Sequence, residues 1–92
     1  MAHSVIQTRR FARQYKKLND NTAKDVDDAV GIISNKPSIG ERKKGDLAAL
    51  LVYKFKSKDQ LYLLGYSIDD GLCLIYLEAI GSHENFYRDI KR

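Results

Sequence analysis

Lys54 and Lys56 alternate with Tyr53 and Phe55, a period of two that sends both ammonium groups out of one face of a strand. Two cations on one face can hold a phosphate and the negative charge that develops on it, and a lysine among other cations can titrate low enough to serve as a base. The plainer reading is a solvated strand face whose lysines discourage edge pairing. His83 follows Gly81-Ser82. An imidazole with an ordinary pKa of about 6.5 transfers protons near neutral pH, and a place at the start of a helix favours an anion beside it. Its alternative is a surface residue at a helix cap. Arg42, Lys43 and Lys44 fit a general contact to a phosphate backbone or a solvated loop. Tyr62, Tyr66, Tyr76, Phe86 and Tyr87 offer rings for unpaired bases, although most strand aromatics serve a core. Cys73 reads as a small buried hydrophobe in mid-strand, with nothing near it to stabilise a thiolate.

The elements that must position these residues follow from apolar spacing and turn chemistry. Val5 to Gln7 form a short extended start, and Thr8 is an N-cap for a helix with the stripe Phe11, Tyr15 and Leu18. After the turn at Leu18 to Thr22, Val26, Ala29, Val30 and Ile33 fall on one face of a second helix, which Asn35-Lys36-Pro37 ends. Residues 37 to 46 read as a charged surface loop. Three strands in a meander follow, turning at Ser57 to Gln60 and at Asp69-Asp70-Gly71. The third, Leu72 to Ile80, is nearly all apolar, which predicts the most central position and cover on both faces. Gly81-Ser82 breaks it, and Ser82 can cap a short C-terminal helix. The order predicts an α+β domain spanning 1–92.

Composition narrows the classes of function. The chain has 92 residues, 43% hydrophobic and 30% charged, enough for one modest core and no large cofactor cavity. One cysteine and two histidines permit no intramolecular disulfide and none of the usual zinc sites, so neither metal nor cofactor is expected. No apolar run is long enough to span a bilayer and no signal pattern opens the chain, which fits the cytoplasm. The net charge of +4 is distributed in blocks. Arg9, Arg10, Arg13, Lys16 and Lys17 form one basic block, and Arg42, Lys43, Lys44, Lys54, Lys56 and Lys58 dominate another. Such blocks can converge on a patch for a polyanion, or can simply be a solvated surface.

The order strand, helical hairpin, loop, meander, terminal helix resembles the RelE/ParE superfamily of toxins from type II toxin–antitoxin pairs. So do Tyr53-Lys54-Phe55-Lys56, Gly65-Tyr66-Ser67-Ile68-Asp69-Asp70 and Ile80-Gly81-Ser82-His83-Glu84-Asn85. The resemblance implies a RelE-like small domain, with the N-terminal strand and helical hairpin packed on the antiparallel meander. It also implies one of two activities. RelE-like members cleave messenger RNA in the ribosomal A site without a metal, and ParE-like members act on DNA gyrase.

Lys54 and Lys56 are similar to the paired strand lysines of the RelE-like branch. Gly81-Ser82-His83 resembles the Gly-Thr-His of the YafQ-like branch, whose histidine is catalytic, and Tyr87 is similar in place to an active-site aromatic there. Tyr66 lies at the matching position near the cleft. Leu63 stands where RelE has an arginine, three residues before the tyrosine. The resemblance thus implies a ribosome-dependent mRNA endoribonuclease with catalytic His83, Lys54, Lys56 and Tyr87, and nucleic-acid contacts from Arg42, Lys43, Lys44 and Tyr66. Its alternatives are a gyrase inhibitor and a degenerate, non-toxic member. The implied partners are a cognate antitoxin, mRNA and the ribosome, with operator DNA reached only through the antitoxin complex and no membrane.

Overall fold

The computed structural model describes residues 3–42 and 50–90. Strand β1 (Ser4–Gln7) leads into α1 (Arg9–Lys16) and α2 (Asp20–Asn35), then a 3-10 turn at Pro37–Ile39 and a two-residue strand β2 (Glu41–Arg42). Strands β3 (Leu51–Ser57), β4 (Gln60–Asp69) and β5 (Leu74–Ser82) form the meander, and α3 (His83–Ile90) follows directly. The five-stranded sheet has the order β1-β5-β4-β3-β2, with β1 parallel to β5 and the other pairs antiparallel. This is the α+β architecture that the element order predicts.

Local chemistry sets the boundaries. The Thr8 hydroxyl accepts from the Phe11 N–H at 3.3 Å and Asn19 Oδ1 accepts from the Thr22 N–H at 2.9 Å, so each helix begins on a side-chain cap. Ser57 pairs with Gln60, which leaves Lys58 and Asp59 as a two-residue hairpin turn at φ 52° and 64°. Two consecutive positive φ values match the right-handed twist of the flanking strands. Where β1 ends, the backbone of β5 still needs partners. The Thr8 hydroxyl donates to the Leu77 carbonyl at 2.8 Å, and the Ile80 N–H donates to Gln14 Oε1 at 2.8 Å. Side chains from the α1 region thus complete an edge that β1 leaves open.

Both faces of the sheet carry a core. Phe11, Val26 and Ile33 from the helical hairpin pack with Leu51, Leu64, Tyr66, Ile75 and Leu77 on one face. On the other, Leu50, Val52, Leu63 and Ala79 pack with Phe86 of α3. Gly65 makes room for that helix: a Cβ there would lie 2.7 Å from Phe86 Cζ. Among the described residues no helix is long and apolar enough to cross a membrane.

Three expectations are corrected. Residues 41 and 42 of the expected loop pair with Val52 and Leu51 as β2. The third meander strand is flanked by β1 and β4, so β4 and not β5 is the middle of the five. That strand starts at Leu74, leaving Leu72 65% exposed and Cys73 exposed in a turn at φ 54°. Cys73 is therefore no buried hydrophobe; the turn after Asp69 is longer than Asp-Asp-Gly suggests, because the Leu72 N–H bonds to Asp69 Oδ1 at 3.1 Å.

Candidate functional site

In β3, Tyr53 and Phe55 turn toward the helical hairpin while Val52 faces α3, so the pleat sends Lys54 and Lys56 to the α3 side. Both lysines are exposed. Lys54 pairs in register with Leu63, Leu63 with Gly81, and Lys56 with Leu61. Two strand spacings put the Lys54 and Gly81 backbones about 10 Å apart. Tyr62 opposite Ser82 is the last rung between β4 and β5, and His83 begins α3 immediately beyond it. The His83 side chain is exposed at that helix start, among the backbone N–H groups that a first helical turn leaves without intrahelical acceptors. Tyr87 lies one turn further along, half-buried against the second core, its ring edge-on to Phe86 with centroids 5.1 Å apart. The spacing i to i+4 places Tyr87 on the same helix face as His83.

The floor between the lysines and α3 is apolar. Leu63 is fully buried and packs with Phe86, so it helps to seat α3 instead of facing solvent. An acid beside Lys54 is one that sequence reasoning did not single out. Glu41 of β2 sits opposite Val52, and its Oε2 lies 3.7 Å from Lys54 Nζ. A two-residue strand is too short to show alternation, so no periodic signal announces Glu41. Lys56 stands further out, at the open edge of β3, where it also borders a groove of about 170 Å³ with Asp25, Asp28 and Ile32 of α2.

The remaining expected site residues divide. Arg42 is exposed on β2 opposite Leu51, at the end of β3 away from Lys56, beside a cleft of about 500 Å³ that it shares with His3, Ser38 and Asp70. Lys43 and Lys44 lie outside the described residues. Tyr66 is corrected: its ring is 0% exposed and cannot stack on a base. Its hydroxyl donates to the Pro37 carbonyl at 2.6 Å and accepts from the Gly40 N–H at 2.9 Å, which ties the segment before β2 to the sheet. Burial pushes this hydroxyl above its ordinary pKa of 10.0, and the Gly40 N–H pulls the other way. The two basic blocks do not converge on one face either. α1 packs through Phe11 and Tyr15 on the face opposite Lys54 and Lys56. Among the described residues no three His, Cys, Asp or Glu side chains come together as a metal-holding group.

Comparison with known proteins agrees with this architecture. The family model described as ParE-like toxin of type II bacterial toxin–antitoxin system matches residues 5–91. No curated protein matches by sequence. Among solved structures, the chain is similar to the RelBE2 toxin–antitoxin complex of Mycobacterium tuberculosis, with a TM-score of 0.80 at 22% identity over 90% of this chain and 100% of that one. It is also similar to the intact RelBE toxin–antitoxin complex of E. coli, with a TM-score of 0.73 at 18% identity over 87% and 95% of the two chains. The isolated E. coli RelE toxin gives 0.70 at 19% identity over 99% and 98%.

Proposed function

Because the chain belongs to the ParE-like toxins of type II bacterial toxin–antitoxin systems, within the RelE/ParE superfamily, we propose that it is an endoribonuclease that cuts translated messages. The observation that supports this reading is that Lys54 and Lys56 of β3 share the face of the sheet on which α3, with His83 and Tyr87, packs. Cleavage of RNA by its own 2′-hydroxyl forms a bond from that oxygen to phosphorus and breaks the bond to the 5′-oxygen. One proton leaves the 2′-hydroxyl and one reaches the departing oxygen. His83 takes the first or delivers the second, while Lys54 and Lys56 meet the charge on the phosphoryl oxygens. Glu41 anchors Lys54, and Tyr87 offers a ring edge or face to a neighbouring base. The products are a 2′,3′-cyclic phosphate and a 5′-hydroxyl; with His83 as the base, a lysine ammonium of the pair gives its proton to the departing 5′-oxygen.

The substrate under this reading is mRNA on the ribosome, in the cytoplasm. A cognate antitoxin would hold the toxin inactive by covering its cations with acidic chain, as a charge-complementary partner does, and would be the route to operator DNA. The similar structures of RelBE complexes support an antitoxin partner. A second reading, action on DNA gyrase through a protein contact, is favoured by Leu63, which is buried where RelE carries its arginine.

The test is induced expression of the wild type and of His83→Ala in bacteria, with growth and the 5′ ends of several messages followed together. Arrest with new ends inside reading frames, both lost in His83→Ala at equal protein level, supports the ribonuclease. Arrest with intact messages moves the assignment to gyrase or another protein target. No arrest with either chain points to a member that has lost toxicity.

A further inference from the structure

Two of the basic residues of α1 are placed against the interests of the helix that carries them, while Arg13, Lys16 and Lys17 stand at its C-terminal end, where the dipole favours cations. Arg9 and Arg10 occupy its first turn, which holds no acid, at the end where the helix dipole favours negative charge. Arg9 with Arg13, and Arg13 with Lys17, are like charges at i, i+4, a spacing that disfavours a helix. Arg10, Arg13 and Lys17 take part in none of the ion pairs formed among the described residues, and Arg13 and Lys17 are exposed. At i, i+3 and i+7 they share one helix face, a row about 10 Å long. That row ends in a groove of about 280 Å³ lined by Gln14, Lys17, Gln60, Tyr62, Ser82 and Asn85. The groove lies where the end of α1 meets the start of α3, next to His83.

We propose that Arg10, Arg13 and Lys17 bind the backbone phosphates of single-stranded RNA, which passes through the groove beside Ser82 from the α1 face of the sheet to the His83 face. The inference rests on the reading of this chain as acting on RNA, and it extends the site to the face opposite Lys54 and Lys56. Polyanion binding removes the repulsion that the free helix carries, which accounts for a basic row with no acid beside it. The groove admits a single strand and is too small for a duplex. Its amides suit base edges, and the half-exposed Tyr62 ring suits a base face.

The experiment measures RNA affinity with full-length chain carrying His83→Ala, so that the probe survives. Probes are unstructured RNA of about twelve nucleotides, a strand of about four, and a duplex of the longer length. Replacing Arg10, Arg13 and Lys17 together by Gln should weaken the longer strand about tenfold or more and flatten its salt dependence by about two units of logarithmic slope. The four-nucleotide strand should be bound equally by both proteins, and Arg13→Lys should keep most of the affinity. Circular dichroism should show the helices unchanged. If the longer strand binds well and the triple variant binds it equally, the α1 track is wrong while the ribonuclease reading stands. Equal loss of duplex binding overturns the single-strand assignment. No RNA binding by either protein overturns both.

Discussion

Lys54 is held by a carboxylate of the neighbouring strand β2. The Glu41–Lys54 contact at 3.7 Å joins two side chains that are each about half exposed, so its contribution to stability is about 0–1 kcal/mol. Its value to the proposed reaction is orientation. Glu41→Gln should therefore leave the melting temperature nearly unchanged and lower single-turnover RNA cleavage only several-fold. Lys54→Ala, which removes the positive charge itself, should lower it by roughly a hundredfold to a thousandfold. Tyr66 works in the opposite sense, through stability and not through substrate. Tyr66→Phe leaves the Gly40 N–H and the Pro37 carbonyl without their hydroxyl partner, at a cost of about 1–3 kcal/mol in chemical denaturation.

The same tyrosine gives an alkaline signature. Burial raises its pKa above 10.0, and hydrogen bonding to Asp27, with burial behind it, raises that of Tyr15. A neutral phenol bound more firmly in the folded state stabilises fully below the unfolded value and loses that stabilisation as pH climbs through the folded value. Stability should therefore fall above pH 10, and ultraviolet tyrosinate absorbance should show two phenols titrating late; a Tyr15→Phe, Tyr66→Phe chain should lose that late phase. At this scale the outward face of Lys54 and Lys56 is legible in the sequence, because a period of two is local. It misjudged Tyr66 and Cys73, because burial depends on which segment crosses above a residue and where a turn ends.

The element on which the account turns is α3. It is an eight-residue helix, too short to persist alone, and it is held by Phe86 over Gly65 and Leu63. Phe86→Ala should cost about 3–5 kcal/mol. Gly65→Ala is the sharper test, since the added Cβ would meet Phe86 Cζ at 2.7 Å and Leu50 Cδ1 at 3.3 Å. It should shift α3, and with it His83 and Tyr87, so that cleavage falls more than unfolding free energy does. Retained full activity in a chain that is destabilised would separate α3 from the chemistry. The cap of α1 and the β3–β4 turn are legible from Thr8 and Lys58-Asp59 because each acts on its neighbours, whereas Asn19, expected within a turn at Leu18 to Thr22, caps a helix that already starts at Asp20. The parallel pairing of β1 with β5, and β2 as a strand, depend on partners distant in sequence and leave no local periodicity.

For the molecule as a whole, the sheet separates two basic surfaces. One lies on the α3 side with Lys54 and Lys56, the other on the hairpin side with Arg10, Arg13 and Lys17, which ends in the groove at the end of β5. The blocky charge was visible in the sequence, but its division between faces follows from the pleat of β3 and the packing of Phe11, which only the assembled sheet reveals. Burial of Leu63 beneath α3 likewise follows from the assembled sheet.

The central claim is that the α3 face cleaves RNA through its own 2′-hydroxyl. The direct measurement is the chemistry of the ends made when purified protein meets a message programmed on ribosomes, for the wild type, Lys54→Ala and His83→Ala. The account predicts a 5′-hydroxyl and a 2′,3′-cyclic phosphate from the wild type, with cleavage lost in both variants while circular dichroism and melting stay the same. A 5′-phosphate end, or wild-type cleavage by both variants, would contradict it.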